Sequence, residues 1–375
     1  MAGTGSPAAA PAGFFPSIAL VRAVAALLVV WDHLFNLWPQ RNEIAFAPAA
    51  FVERWVMTPL ALMQHGGAFA VALFFMVSGF IIVAVGMRES SRTFAIRRAL
   101  RIYPPLWISI VLLLATFSIA LTLTDAPGLH GYEINKVLAM DNPWPAILLA
   151  MSLFNYLVGT PPVNGVAWTL IIELLFYLTV LVLLPLLRTR PRTAIVAAFV
   201  GLLVLQVFAR VHAVVFLLTV NMVYVTFLFL GTLVYLRYAQ RIGTGFFVIW
   251  TALYWGLFIL GMYRYGVMPP WTIAGYGVSY AFAWLVFVAL LLVDRHIRLD
   301  PVTDFFSRIS YSLYLNHGGL GFLSLALLVP ALGFPVSLAI TLVLVVAVSA
   351  ASYRWVELPS QHLARRLTAR APASG

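Results

Sequence analysis

The sequence predicts an all-α, polytopic membrane protein with about ten spanning helices, and three observations predict it. Of the 375 residues, 63% are hydrophobic. Only 9% are charged, against about 25% in an average soluble domain. Apolar stretches long enough to cross a bilayer as helix, about 20 residues each, recur along the chain. This composition excludes a soluble enzyme, a disordered chain and a conventional nucleic-acid-binding protein. The net charge of +11 is diluted among apolar runs and reads first as a marker of cytoplasmic loops. Cysteine is absent, which excludes disulfides, cysteine-ligated zinc and thiol nucleophiles.

Residues 1–16 are rich in Ala, Gly and Pro and carry no basic residue. They lack the charged start of a cleavable signal and are expected to form a disordered tail. Spans are then predicted at 17–38, 68–87, 105–123, 166–187, 193–210, 213–236, 245–262, 272–293, 309–331 and 335–354. The fifth and sixth are separated only by Arg210, Val211 and His212. The apolar piece near 146–158 is too short to span and is expected to be re-entrant or interfacial. Residues 17–356 form one membrane domain, and 357–375 a C-terminal tail. No segment outside the spans is long enough to bury a core of its own.

Ten spans put both termini on one side. Arg88, Arg92, Arg97, Arg98, Arg101, Arg188, Arg190, Arg192, Arg237, Arg241, Arg295, Arg298, Arg308, Arg354, Arg365, Arg366 and Arg370 fall on that side, and Arg41, Arg54, Lys136, Arg210 and Arg264 on the other. The excess of arginine places both termini in the cytoplasm. The two longest loops, 39–67 and 124–165, lie opposite.

Ionisable groups inside a bilayer are costly and mark functional sites by default. The first span carries Arg22, Asp32 and His33. Eleven residues of ideal helix put Arg22 and His33 on one face, about 16 Å apart, with Asp32 turned about 100° away. Arg22 also suits snorkelling to the interface, and His33 an interhelical hydrogen bond. Glu173, in the fourth span, should lie at a depth similar to that of His33. The two suit either an acid/base pair or a structural one. Trp168 and Tyr177 read as packing and belt aromatics. The ninth span holds Ser310, Ser312, Tyr314, Asn316 and His317, polar enough to face a cavity. Its serines fit helix–helix hydrogen bonds. Ser78 and Gly79 of the second span allow close helix approach, without the Gly-x-Ser-x-Gly elbow of a serine nucleophile. Arg97, Arg98 and Arg101 precede Pro104 and Pro105, which suit the first turn of a helix. Arginine forks and a helix N-terminus together suit phosphate; lipid anchoring fits the same arginines.

These residues resemble the membrane-bound acyltransferase family 3, whose members O-acylate bacterial surface carbohydrates. Arg22 and His33 match its Arg-x10-His signature. Phe74, Phe75, Ser78, Gly79 and Phe80 match its Phe-Phe-x-x-Ser-Gly-Phe. Arg97, Arg98, Arg101, Ile102 and Pro104 match its Arg-Arg-x-x-Arg-Ile-x-Pro. Trp168, Thr169, Leu170, Glu173, Phe176 and Tyr177 match a fourth motif, the run Ser310 to His317 a fifth, and Glu357 with Pro359 a sixth. The chain departs from the family at Ala19, where many members are acidic, and at Gly318 and Gly319, where many have a proline.

The resemblance implies an acyl-CoA donor, acetyl-CoA first, on the cytoplasmic side of a bacterial plasma (inner) membrane. It implies a carbohydrate acceptor: exopolysaccharide, lipopolysaccharide or a lipid-linked glycan. Arg22, Arg97, Arg98 and Arg101 would bind the donor's phosphates. His33 would be general base or transient acyl carrier, Glu173 would orient or charge-balance a histidine, and His317 could exchange roles with His33. No metal or nucleic acid is called for. A transporter or flippase, which also combines many spans with buried charges, is the alternative.

Overall fold

The computed structural model describes residues 15–124, 131–266 and 272–369. Among these residues ten helices are long and apolar enough to cross a membrane: α1 Pro16–Arg41, α2 Gln64–Gly86, α3 Ser91–Leu123, α4 Gly165–Thr189, α5 Pro191–Val211, α6 Ala213–Tyr238, α7 Thr244–Tyr265, α8 Ile273–Leu292, α9 Pro301–Leu332 and α10 Phe334–Thr368. The described residues contain no strand. Each of the ten predicted spans falls on one of these helices. The first fourteen residues of the predicted N-terminal tail lie outside the described residues.

α1 lies between α2 and α9, and α2 also packs on α6 and α8. α10 packs against α9, and its C-terminal part, Leu358–Thr368, lies along α3. Outward positions such as Leu123, Val182 and Val343 are apolar and exposed, as lipid-facing side chains must be. α2 and α6 cross with their backbones in contact. A Cβ on Gly231 would sit 2.6 Å from the Met76 carbonyl oxygen, and one on Gly79 would meet the Leu228 carbonyl. Small residues permit this approach, and Thr232 adds a hydrogen bond to the Gly79 carbonyl at 3.2 Å.

Three helices exceed their predicted limits because a helix does not stop where the hydrocarbon ends. α3 begins at Ser91 rather than near 105, since the Ser90 hydroxyl accepts the Thr93 amide at 3.1 Å and caps the N-terminus. Pro104 and Pro105 are therefore inside α3. The expectation that they open a helix is overturned, and so is that of free N-terminal amides beside Arg97, Arg98 and Arg101. α9 likewise starts at Pro301, capped by Asp300. α10 runs on past residue 354 through a π-helical turn, Tyr353–Glu357.

The loops between α1 and α2 and between α3 and α4 hold short helices. Trp144–Ser152 has nine residues, about 14 Å of rise, too little to span. It ends at Leu153, whose φ of 68° breaks the helix. The non-spanning piece expected near 146–158 is this segment with Asn155–Val158.

Candidate active site

Two helices bring most of the polar residues together. α1 and α9 run parallel, and their facing edges carry Arg22 opposite Ser310 and His33 opposite His317. Arg22 Nη2 donates to Ser310 Oγ at 2.9 Å. Arg22 and His33 are eleven residues apart and Ser310 and His317 seven. The difference, about 6 Å of rise, is spanned by the length of the arginine. Arg22 is thus held within the bundle rather than snorkelling.

On the side of the bundle that carries the termini, Arg22 and Arg101 line a cavity of about 400 Å³ together with Asp304, Tyr353 and Glu357. The same two arginines line a smaller chamber of about 70 Å³ with Ser78, Thr169, Glu173 and Tyr314. Both arginines interact electrostatically with Glu173 and Glu357. Glu357 accepts hydrogen bonds from Ser312 at 2.9 Å and Gln361 at 3.2 Å. Glu173 Oε1 accepts from Tyr177 and, at 3.4 Å, from Ser78. The sequence placed Glu173 with His33; its hydrogen-bond partners are instead a tyrosine and a serine, and His33 pairs with His317. Tyr177, read as a packing aromatic, is one of these partners. Ser310 and Ser312 do bond across helices, but to charged groups.

Arg97 and Arg98 do not join Arg22 and Arg101 on these walls. Arg97 forms an ion pair with Glu89 at 2.6 Å and donates to Thr368 at 3.0 Å, tying the start of α3 to the end of α10. The Arg98 guanidinium lies over the Phe94 ring, 5.7 Å from its centroid. An ideal α-helix separates positions 97 and 101 by about 40° and turns 98 about 60° from 101. Proximity in sequence therefore did not decide which arginine faces the cavity.

On the opposite side, a cavity of about 680 Å³ is lined by His33, Arg41, Asn42, Tyr132, Glu133 and Trp168, among others. His33 Nδ1 lies 2.6 Å from Nε2 of the fully buried His317, with the rings within 9° of parallel. Gly318 keeps this corner open: a Cβ there would lie 2.9 Å from Val166 Cγ1 and 3.8 Å from His33 Nδ1. The glycine that departs from the family pattern is thus a close-approach position.

The protons in this pair follow from the partners. His317 Nδ1 lies 2.8 Å from the Tyr314 carbonyl and 3.1 Å from that of Leu313. Carbonyls only accept, so His317 Nδ1 carries hydrogen and its Nε2 is the acceptor in the neutral ring. His33 Nδ1 therefore donates to it, and His33 Nε2 holds an unshared lone pair. Asp32 Oδ2 is 3.9 Å from that nitrogen. Ideal α-helical geometry had turned Asp32 away. The segment Trp31–Leu37 is instead a π-helical turn, which widens the helix and redirects its side chains.

Tyr314 stands between the two sides. Its hydroxyl donates to the Val166 carbonyl at 2.9 Å and accepts from Thr169 Oγ1 at 2.8 Å. Thr169 and Tyr314 line the small chamber, whereas Val166 lines the large cavity. A neutral imidazole with a free nitrogen, in a cavity one tyrosine away from an arginine-lined chamber, is equipped to accept a proton from a hydroxyl.

The sequence matches the "Acyltransferase domain" family, acyltransferase family 3, over residues 15–354. It is 31% identical over 195 residues to Nodulation protein 10 of Rhizobium leguminosarum bv. viciae. That alignment covers 49% of this chain and 48% of the relative, so the chain spans about half the length of the curated relative it matches. No solved structure matches. Family membership favours an acyltransferase over the transporter alternative. With ten helices among the described residues long and apolar enough to cross a membrane, and a match over nearly its whole described length, the chain belongs to acyltransferase family 3.

Proposed function

We propose that the protein moves an acyl group, acetyl in the first instance, from acyl-CoA to a hydroxyl of a surface or exported carbohydrate, in a bacterial plasma membrane. The arginine-bearing side is cytoplasmic in this reading, as the distribution of basic residues suggests. The thioester arm of the donor enters past Glu357, Arg22 and Arg101, with the charged end of the donor at the mouth. The acceptor occupies the large opposite cavity, where tryptophan and tyrosine faces with polar side chains suit a sugar. Its hydroxyl oxygen attacks the thioester carbon as His33 Nε2 takes the hydroxyl proton. The carbon–sulfur bond breaks, and the CoA thiolate leaves and is reprotonated. Reactants meet when the Tyr314 partition opens. His317 fixes the tautomer that leaves Nε2 of His33 bare.

The observation that carries this reading is the bare Nε2 of His33 on the wall of the larger cavity. Membranes containing the protein are supplied with radiolabelled acetyl-CoA, and label in the glycan fraction is counted. His33→Ala is expected to lower transfer about a hundredfold or more at equal expression. Wild-type transfer by that variant would remove His33 from the reaction. Mass spectrometry of the glycans then identifies the acceptor.

A further inference from the structure

Asp32 is 9% exposed and occupies an unusual place. Its carboxylate fills the space where any residue other than glycine at position 67 would put a side chain. A Cβ there would lie 2.7 Å from Asp32 Cγ and still closer to Oδ2. Gly67 begins the α-helical part of α2, Gly67–Gly86, and follows Gly66 with φ +92°. The carboxylate thus lies at the positive end of a long apolar helix, where the first amides lack intrahelical partners. On its other side Oδ2 faces the bare Nε2 of His33 at 3.9 Å. That separation is too long for a hydrogen bond, so Nε2 remains free for an incoming hydroxyl. It is short enough for a carboxylate to attract a protonated imidazole across it.

The other charged groups nearby are largely accounted for. Glu53 interacts electrostatically with Asp32 but is engaged by His65 at 2.7 Å and Thr58 at 3.1 Å. His65 also meets Gln40 at 3.0 Å. Glu133, on the same cavity wall as His33, is paired with Lys136 at 2.6 Å. Arg41 lines the cavity and interacts with His33 electrostatically, as a like charge once His33 is protonated. His317 already donates Nδ1–H to carbonyls, so His33 gains no carboxylate from α9.

We propose that Asp32 is a positioning residue for the proton-accepting step: it faces Nε2 of His33 and stabilises the imidazolium formed when that nitrogen takes the acceptor's proton. The inference rests on His33 being the base. In the resting state the Asp32 side chain lies beside the start of α2 without a cap hydrogen bond to it. When the hydroxyl proton moves to Nε2, the carboxylate acquires a cation opposite it and offsets the repulsion from Arg41. The proton later leaves Nε2 for the CoA thiolate, and Asp32 gains and loses no bond. The π-turn and Gly67 together make this placement possible.

The alternative role is a purely structural one, filling the space beside the start of α2, which asparagine of nearly the same size does as well as aspartate. Asp32→Asn therefore separates the two. In the radiolabelled acetyl-CoA assay, Asp32→Asn is expected to keep its melting temperature in detergent and its KM for acetyl-CoA. Its kcat should fall about tenfold or more, and the acidic limb of its pH profile should move down by about one pH unit. The sign follows from removing a negative charge beside an imidazolium, which then loses its proton at lower pH. Histidine nitrogen chemical shifts, with the His33 signal assigned by its loss in His33→Ala, should show the same downward shift without any acceptor. An unchanged kcat, or an unchanged His33 midpoint, would overturn the proposal and leave Asp32 a space-filling residue beside α2. Full activity in His33→Ala would instead overturn the reading of the base itself. An inactive His33→Ala beside a wild-type Asp32→Asn would remove only the role of Asp32.

Discussion

The two sides of the Tyr314 partition treat their polar groups in opposite ways. On the arginine side, charges face opposite charges: Arg22 and Arg101 interact with Glu173 and Glu357, Ser310 accepts from Arg22, and Ser78, Tyr177 and Ser312 donate to the two glutamates. On the histidine side, one nitrogen has no hydrogen-bond donor, because every proton in the His33–His317 pair is already committed. A satisfied network holds its shape and binds. An unsatisfied lone pair on a cavity wall is available for chemistry. In the proposed reading the donor binds on one side and the proton moves on the other, though both are built from α1 and α9.

Four substitutions break or sharpen that contrast. The largest effect is expected for His317→Ala, which touches no cavity wall but frees His33 to adopt either tautomer. Its kcat for acetyl transfer should fall on the order of a hundredfold, with KM for acetyl-CoA unchanged; steady-state kinetics over a donor series would show a KM effect instead if His317 bound the donor. A smaller effect is expected for Arg22→Ala and Arg101→Ala, each weakening acyl-CoA binding about tenfold by calorimetry. Each also leaves a buried glutamate short of its counter-charge, so the loss should combine poorer binding with lower melting temperature. The smallest belongs to Arg97→Ala. Its ion pair with Glu89 is partly exposed and worth well under about 1 kcal/mol. Acyl-CoA affinity within about twofold of wild type is expected, and a tenfold loss would place Arg97 with Arg101.

Much of this architecture is legible in the sequence, because the cost of exposing polar backbone to lipid leaves few alternatives to apolar helices. All ten spans could be placed from hydropathy. Their limits were less legible: Ser90 and Asp300 cap α3 and α9 well before the apolar stretch starts, and a hydropathy window averages such positions away. Arg22, His33, Glu173 and His317 could be chosen as ionisable groups at membrane depth, and Arg101 as one of an arginine cluster ahead of the third span. Their partners could not. Ideal helical rotation turned Asp32 away from His33, whereas the π-turn at Trp31–Leu37 brings its carboxylate near. Nothing in Trp-Asp-His-Leu-Phe announces that turn. Glu357 matched a family motif without a role, since it lies past the predicted end of the last span. Only the continuation of α10 carries it into the cavity wall. Ser78 was recognised for its neighbour Gly79, while its hydroxyl faces Glu173.

The crossing of α2 and α6 has a consequence for traffic through the bundle. Where Gly79 and Gly231 meet, main chain touches main chain, and not even a methyl group fits between them. A lipid tail or glycan carrier arriving sideways from the bilayer finds that seam sealed. These two helices behave as a single wall, so a membrane-borne acceptor, if the proposed function holds, has to come in elsewhere; the exposed Arg41, Asn42 and Glu133 line the large cavity beside His33.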